Sequence, residues 1–521
     1  DMVQINQLVQ GNAANVQSVP APVGGWNARD SISNMDPMDA VTLTNFFPTA
    51  SNVVLRGGYT KWATGMTGQV QTVINYSTGT TDKLYAFVGG NIYDVTSTGA
   101  VGAALVTGLT NNKWEHINVT TAAGSYLYIV NGVDKPRLFN GTTWAAIDAA
   151  SAIPITGVTT TSLDNISLFK NRVWFIEKNT LKAWYLPTGA VGGAANYIDM
   201  SAIAKYGGYL VDLDTWTLDA GYGVDDNLVF VTSNGEVIVW SGTDPASAST
   251  WALIGVWKLG SPIGKRCMLK YGGDLLLITY DGLMPLAGSL QSSRLDPRVA
   301  LSNKIQGAIT AATTQYGDSF GWEILYSAKN NALWINVPVA EGQQQQYVMN
   351  NITKSWCNFQ GWNANCWETF LDDPFFGGDG YVGRAWNSTY IDDVNNIQTN
   401  TLQAFNYYGS RGVKKYFTRA RPNLFTNGTP SVFVGMNVDF DVQPATSSLS
   451  FSPSSVGLWD GATSKWDTAN WGSSAATITN NWQGITGIGY CGGINLISQS
   501  QGIQIEWAST DVVFQVGWAG I

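Results

Sequence analysis

Charge is what this chain has least of. Only 12% of its 521 residues are Asp, Glu, Lys or Arg, about half the roughly 25% usual in globular domains. The polar load falls on Asn, Gln, Ser and Thr, which solvate a surface without long-range repulsion and defend it poorly against association. Such a surface suits a subunit that buries much of itself against neighbours. The charge that remains is acidic, a formal −9, which argues against a scaffold held on nucleic acid by phosphate neutralisation. The only basic cluster, Lys414, Lys415, Arg419 and Arg421, reads as a solvated strand face.

Other scarcities exclude further classes. With His116 as the single histidine and four scattered cysteines, Cys267, Cys357, Cys366 and Cys491, no zinc site is expected. Buried free thiols made in a reducing compartment are the default reading. No segment approaches the roughly 18 apolar residues of a membrane span, so no insertion by this chain is expected. The polar start, DMVQINQLVQ, has no cationic or apolar leader pattern. Helical periodicity is nearly missing, and LDPRVALSNKI, from Leu295 to Ile305, is the best short candidate.

What is abundant is a phrase. DNLVFVTSNGEVIVW, from Asp226 to Trp240, is two apolar runs around a Ser-Asn-Gly-Glu break, and relatives of it recur. Their first apolar residues are Leu84, Leu127, Val173, Leu228, Leu275, Leu333 and, in a weaker copy, Tyr381, at steps of 43 to 58 residues. Propeller blades repeat at about 40–50 residues. Runs such as Leu275 to Ile278 are apolar on both faces, as strands buried between neighbouring sheets must be. The Asn-Gly and Asp-Gly breaks supply positive φ angles for tight hairpins. The reading is an all-β chain: a β-propeller of six or seven blades, some irregular, over residues 71–400. From Thr401 apolar and polar residues alternate over long runs, and the tail becomes rich in tryptophan. That pattern predicts a second β-domain, a sandwich or sheet, over residues 401–521. Residues 1–70 read as an extended N-terminal arm and first strand, packed with the C-terminal β-domain.

The arm carries a specific wording. Gly25 to Asp30 spells Gly-Trp-Asn-Ala-Arg-Asp, Met35 to Ala40 holds a Met-x-Pro-x-x-Ala spacing, Asn45 to Pro48 makes an Asn-Phe-Phe-Pro turn, and Arg56 to Gly58 is Arg-Gly-Gly. This stretch resembles the N-terminal arm of the tail tubular protein B, or nozzle, family of short-tailed bacteriophages. The likeness extends loosely along the whole chain as arm, propeller and a β-domain containing RARPNLF. It implies a structural virion protein of the phage tail, synthesised in the host cytoplasm. Such a protein forms a hexameric ring below the portal and adaptor, a conduit for genome ejection and a platform for fibre or needle proteins. Viral DNA would pass without specific binding. No catalytic residue belongs to that family, so none is transferred, and no enzyme activity or cofactor is expected.

Candidate sites were weighed against plainer roles. Asp30, Asn34, Asp36 and Asp39 crowd the arm as calcium ligands would, but the order is not that of an EF-hand loop, and turn-making is the better reading. Asp372, Asp373, Asp392 and Asp393 read as solvated turns rather than glycosidase pairs. A Ser-His-Asp triad would need His116, with no Gly-x-Ser-x-Gly elbow anywhere. Trp174, Trp240 and Trp334 read as core, whereas Trp459, Trp466, Trp471 and Trp482 are surplus to one chain's core and suit an interface. The interface set is therefore Trp26, Asn27, Arg29, Asp30, Phe46, Phe47, Trp466 and Trp471. The alternative is a carbohydrate-directed propeller, either a glycosidase or a receptor-binding tail component.

Overall fold

In the computed structural model the repeated phrase is the middle of a blade. The structure describes residues 14–219, 224–290, 296–449, 477–478 and 481–517. The Asp226 copy spans the strands Val224–Thr232 and Glu236–Gly242, antiparallel, joined through Gly235 at φ +81°. Leu228 to Val231 and Val237 to Val239 are all fully buried, so both faces of this hairpin are covered.

Seven blades of this kind occur among the described residues, six as separate sheets and the one that begins at Glu323 as one end of a ten-stranded sheet. Their first strands are Thr72–Ser77, Glu115–Thr121, Leu163–Phe169, Leu210–Asp219, Met268–Tyr271, Glu323–Ser327 and Trp367–Phe370. Each first strand adjoins the next, and the seventh adjoins the first, so the sheets close into a ring. This is a β-propeller of seven blades, the upper of the two expected numbers. Gly58–Thr64, from the N-terminal side, supplies the outer strand of the seventh blade and ties the ring shut.

Six copies of the phrase begin in the second strand of their blade. The weak seventh, at Tyr381, falls before the third strand Val382–Asn387; the true second strand is Asp373–Gly377. Its Pro and paired Asp residues hide the apolar run.

Cores form between blades. Tyr128, Val130 and Leu138 of the second blade pack with Val173 and Phe175 of the third. Phe169, Trp174 and Tyr185 of the third pack with Leu228, Phe230 and Trp251 of the fourth. Trp174 and Trp240 each stack on Trp251, at centroid distances of 5.5 and 5.7 Å. Burying such rings contributes roughly 25 cal/mol for each Å² of apolar surface removed from water. The helical expectation was one step early. Pro297–Val299 and Asn303–Ile305 are single 3-10 turns, and the α-helix is Gln306–Tyr316. Its Thr- and Ala-rich sequence gives a weak apolar stripe, with Ile309, Ala312 and Thr313 buried.

The chain divides into two compact units at Tyr59 and Trp386, with Val348–Phe359 belonging to the first unit. The division lies some residues before the composition changes at 70 and 400. In the first unit, strand Ile505–Val516 has Lys415–Thr426 along one edge. Its other edge is filled by the arm: Asn15–Pro20 faces Ser509 to Phe514, and Val53–Leu55 faces Glu506 and Trp507. A second sheet orders Asp39–Thr44, Ile397–Gln403, Gly492–Ser500 and Ser431–Val438. Ser431–Val438 packs on Gln483–Gly489 of the first sheet, making a sandwich.

One expectation about the surface fails here. Lys415 is buried, not on a solvated face; its Nζ bonds the carbonyls of Ser410 and Tyr490, and burial lowers its pKa.

Candidate functional site

The first strands of the seven blades enclose an axial cavity of about 590 Å³. Into it project Glu115 and His116 of the second blade, Asp212 and Asp214 of the fourth, Lys270 of the fifth, Glu323 of the sixth and Glu368 of the seventh. Arg266, just before the fifth blade, joins them. In a chain so poor in charge this convergence is a local concentration. Two bulges help to build it: pairing shifts between Leu163 and Asn165 and between Leu210 and Asp212. A bulge re-aims the side chains beside it, and here Asn165 Nδ2 donates to Asp212 Oδ1 at 2.9 Å.

Arg266 is a crossbar. Its Nε donates to Glu115 Oε1 at 3.1 Å, and its Nη2 to Thr72 Oγ1 at 2.8 Å and the Trp114 carbonyl at 3.1 Å. Nη1 donates to the Gln71 carbonyl at 3.2 Å and lies 3.7 Å from Glu323 Oε2. A side chain from the fifth blade thus holds the first and second blades across the axis, and reaches the sixth. Burial would lower its pKa, but Glu115 and Glu323 outweigh that and raise it.

The carboxyls respond to the same enclosure. Burial lifts Glu323 to about 7, against the pull of Arg266. It lifts Glu368 to about 8, against hydrogen bonds from the Thr369 and Asn75 amides. Asp212 is pushed well up by burial and by its neighbours Asp214 and Glu115. Burial and the nearby Arg266 hold His116 down to about 4. At neutral pH the pair at 3.5 Å, His116 Nε2 and Glu368 Oε2, is therefore a neutral imidazole beside a protonated acid. Five carboxyls share one cavity, and retained protons offset their mutual repulsion.

The arm residues expected at an interface separate into two groups. Asn27 is buried: its Nδ2 donates to Asp30 Oδ2 and Asp39 Oδ2, both at 2.8 Å, and its Oδ1 accepts from the amides of Arg29 and Asp30. Phe46 and Phe47 are also buried, against Trp507 and Phe359 at 6.4 Å each. These three are core of this chain's own sandwich, because strand pairing of the arm carries them inward. Trp26 is half-buried, while Arg29 and Asp30 form an ion pair with side chains 43% and 38% exposed. Trp466 and Trp471 lie outside the described residues. Asp36 accepts the Met38 amide, a turn-making role.

The Arg-Gly-Gly strand is the tightest joint. Arg56 is 1% exposed and meets Asp392 with two nitrogens, at 2.9 and 2.5 Å, while its Nε donates to Asn45 Oδ1 at 2.9 Å. At Gly58 a Cβ would stand 2.0 Å from the Ile391 carbonyl oxygen. Only glycine admits that approach.

Sequence reasoning missed the axial group entirely. Most of the residues lie on first strands, at irregular distances before each phrase, and the contacts that join them, such as Arg266 with Glu115 and His116 with Glu368, link positions far apart in the chain. Their only signal was charge itself, in strands that otherwise carry little.

No family model and no curated protein matches the chain. Solved structures are similar at the level of β-propellers. The extracellular domain of a hybrid two-component system, BT3049, from B. thetaiotaomicron is 12% identical with TM-score 0.39, covering 74% of this chain and 44% of its own. The Cps50 (Swd1) propeller domain of Myceliophteria thermophila is 14% identical with TM-score 0.39, over 63% and 99%. YCF48 bound to D1 peptide is 12% identical with TM-score 0.36, over 66% and 96%. The chain thus spans less than half the length of the first of these, and the fold rests on its own sheet pattern.

Proposed function

We propose that this chain is a non-enzymatic structural subunit of a phage tail nozzle: a ring, sixfold by the family resemblance, below the portal and adaptor. The observation that carries the reading is the use made of the resembling motif. Asn27 ties the arm's turn to Asp39, Asn45 and Arg56 meet in one buried network with Asp392, and Gly58 permits a backbone approach nothing else would. These motif positions close joints of the sandwich, so this part of the wording encodes construction. The DNA path in this reading is the lumen between copies, because Arg266 crosses the propeller's own axis. Six copies would carry 6 × (−9) = −54, a wall that repels phosphate rather than holding it. Fibre or needle proteins and the adaptor would dock on the ring.

Negative-stain imaging with native mass measurement tests this directly. A six-membered ring with a central hole, and no salt-dependent binding of duplex DNA, is the expected result. A strict monomer inside an assembled tail, or a symmetry other than sixfold, would remove it.

One observation favours the carbohydrate-directed alternative. Glycosidases use a protonated acid beside an ionised carboxylate, and the axial cavity holds Glu323 near 7 among other carboxyls. Release of reducing sugar from surface polysaccharide, abolished by Glu323→Gln, would establish that reading in place of the first.

A further inference from the structure

On one face of the propeller a second cavity, of about 650 Å³, opens where loops entering the first strands meet loops leaving the second. Glu115, Lys265 and Arg266 line both this cavity and the axial one, so the crossbar is the partition between them. Four cations face the outer cavity: these two and Lys113 and Lys178. Two are neutralised, Lys265 by Asp164 at 2.5 Å and Arg266 by Glu115 at 3.1 Å.

Among the described residues the other two are not. Lys178 Nζ reaches the Gly132 carbonyl at 3.3 Å. Lys113 Nζ stands 4.4 Å over the ring of Phe320, whose centroid is also 5.6 Å from the Arg266 guanidinium carbon. The aromatic ring gathers two cations and supplies no counter-charge. Asp318, the remaining acid on the wall, is exposed and makes no ion pair among the described residues. Burial, Lys265 and Arg266 all depress the Lys113 ammonium. Crowded like charges facing an open polar cavity are unfavourable until an anion enters. Around them Tyr209 and Tyr280 are 43% and 40% exposed, and Ser233 and Ser261 add hydroxyls.

We propose that this cavity binds an oxyanion, a carboxylate or phosphate carried by a small polar ligand, through Lys113 and Lys178 with Arg266 behind them. The site is independent of the ring: it stands on the cavity and its uncompensated lysines. An acidic sugar and a phosphate ester share the required chemistry, and the experiment separates them.

The test is competitive acylation of lysines on the full chain, read by peptide mass spectrometry at pH 8 and constant ionic strength. Without ligand, Lys113 should react faster than Lys135, which does not line the cavity and pairs with Asp148. Inorganic phosphate or glucuronate should then slow Lys113, by about tenfold for each unit its pKa recovers, and leave Lys135 unchanged. Protection by phosphate alone assigns the phosphate class, by glucuronate alone the sugar-acid class, and by both a site that reads charge. Lys178→Met should weaken the protection. Lys113→Met removes a crowded charge, so it should fold at least as stably as the parent chain while losing any thermal stabilisation by the oxyanion. Lys113 reactivity indifferent to both probes, or slowed equally by chloride, overturns the site.

Discussion

Arg56 in the sandwich and Arg266 in the propeller are both taken out of bulk water, and they are held in opposite ways. The Arg56 side chain is fully buried, and Asp392 faces it with both oxygens. Arg266 keeps 12% exposure toward its cavities and donates most of its hydrogen bonds to neutral oxygens, with Glu115 close and Glu323 more distant. Around it acids outnumber bases, and protons retained on Glu323 and Glu368 make up the balance. The first arrangement is a lock closed by a two-point contact. The second is a hub whose charge depends on the solvent outside.

The sharpest way to break the comparison is to remove each arginine. Arg56→Ala leaves Asp392 buried and unpaired, and should cost about 3–5 kcal/mol of unfolding free energy by denaturant titration. Arg56→Lys should not restore it, since an ammonium cannot serve both carboxylate oxygens and Asn45 together. A cost below about 1 kcal/mol would place the pair among surface bridges and end the distinction.

Arg266→Met should cost less at pH 7, and its cost should shrink as pH falls. Glu323, the more distant of the two acids it faces, titrates near 7. Below that value the parent chain has lost the Glu323 counter-charge, so less remains to lose. A deficit constant from pH 8 to pH 5 would mean that the crossbar acts through its neutral hydrogen bonds alone.

The pH profile of the parent chain is a smaller and more specific measurement. Glu323 and Glu368 have folded values raised above the ordinary 4.5, to about 7 and about 8. Their stabilising protonation is therefore complete below 4.5 and lost as pH rises through those values, at up to about 1.4 kcal/mol per pH unit for each proton. His116 is lowered from 6.5 to about 4, so its contribution is present above 6.5 and lost as pH falls toward 4. Between pH 6.5 and 8 His116 adds no slope, the raised carboxyls do, and stability should decline. Glu368→Gln should flatten the part of that decline nearest pH 8. His116→Asn should leave this limb alone and flatten the acid one.

These two regions also differ in how far they could be read beforehand. The propeller was legible because its hairpins are local: both strands of DNLVFVTSNGEVIVW and the turn between them sit within 15 residues. The arm was legible as wording but not as structure. Asn15 pairs with Phe514 and Arg56 meets Asp392, and no periodicity reports partners so distant. That is why Phe46 and Phe47 read as anchors on either the C-terminal β-domain or a neighbouring subunit, and the structure buries them in this chain's own sandwich. The axial acids failed for a third reason. An inner strand shows one face to the axial cavity, so its charged positions look the same in sequence as those of any strand with one polar face.

The smallest expected effect on stability bears most on assembly. Arg29 and Asp30 survive as contact candidates because their pair is exposed, and an exposed ion pair is worth roughly 0–1 kcal/mol. Arg29→Ala should therefore leave the unfolding of the isolated chain almost unchanged. Asn27 still bonds Asp39, so the turn keeps its shape without the guanidinium. If Arg29 lies at a subunit contact, the same variant should lower the yield of rings, counted by native mass measurement against the parent chain. Rings formed in equal yield would take Arg29 out of the contact set, while a large loss of stability would mean that the pair belongs to the fold, as Asn27, Phe46 and Phe47 do.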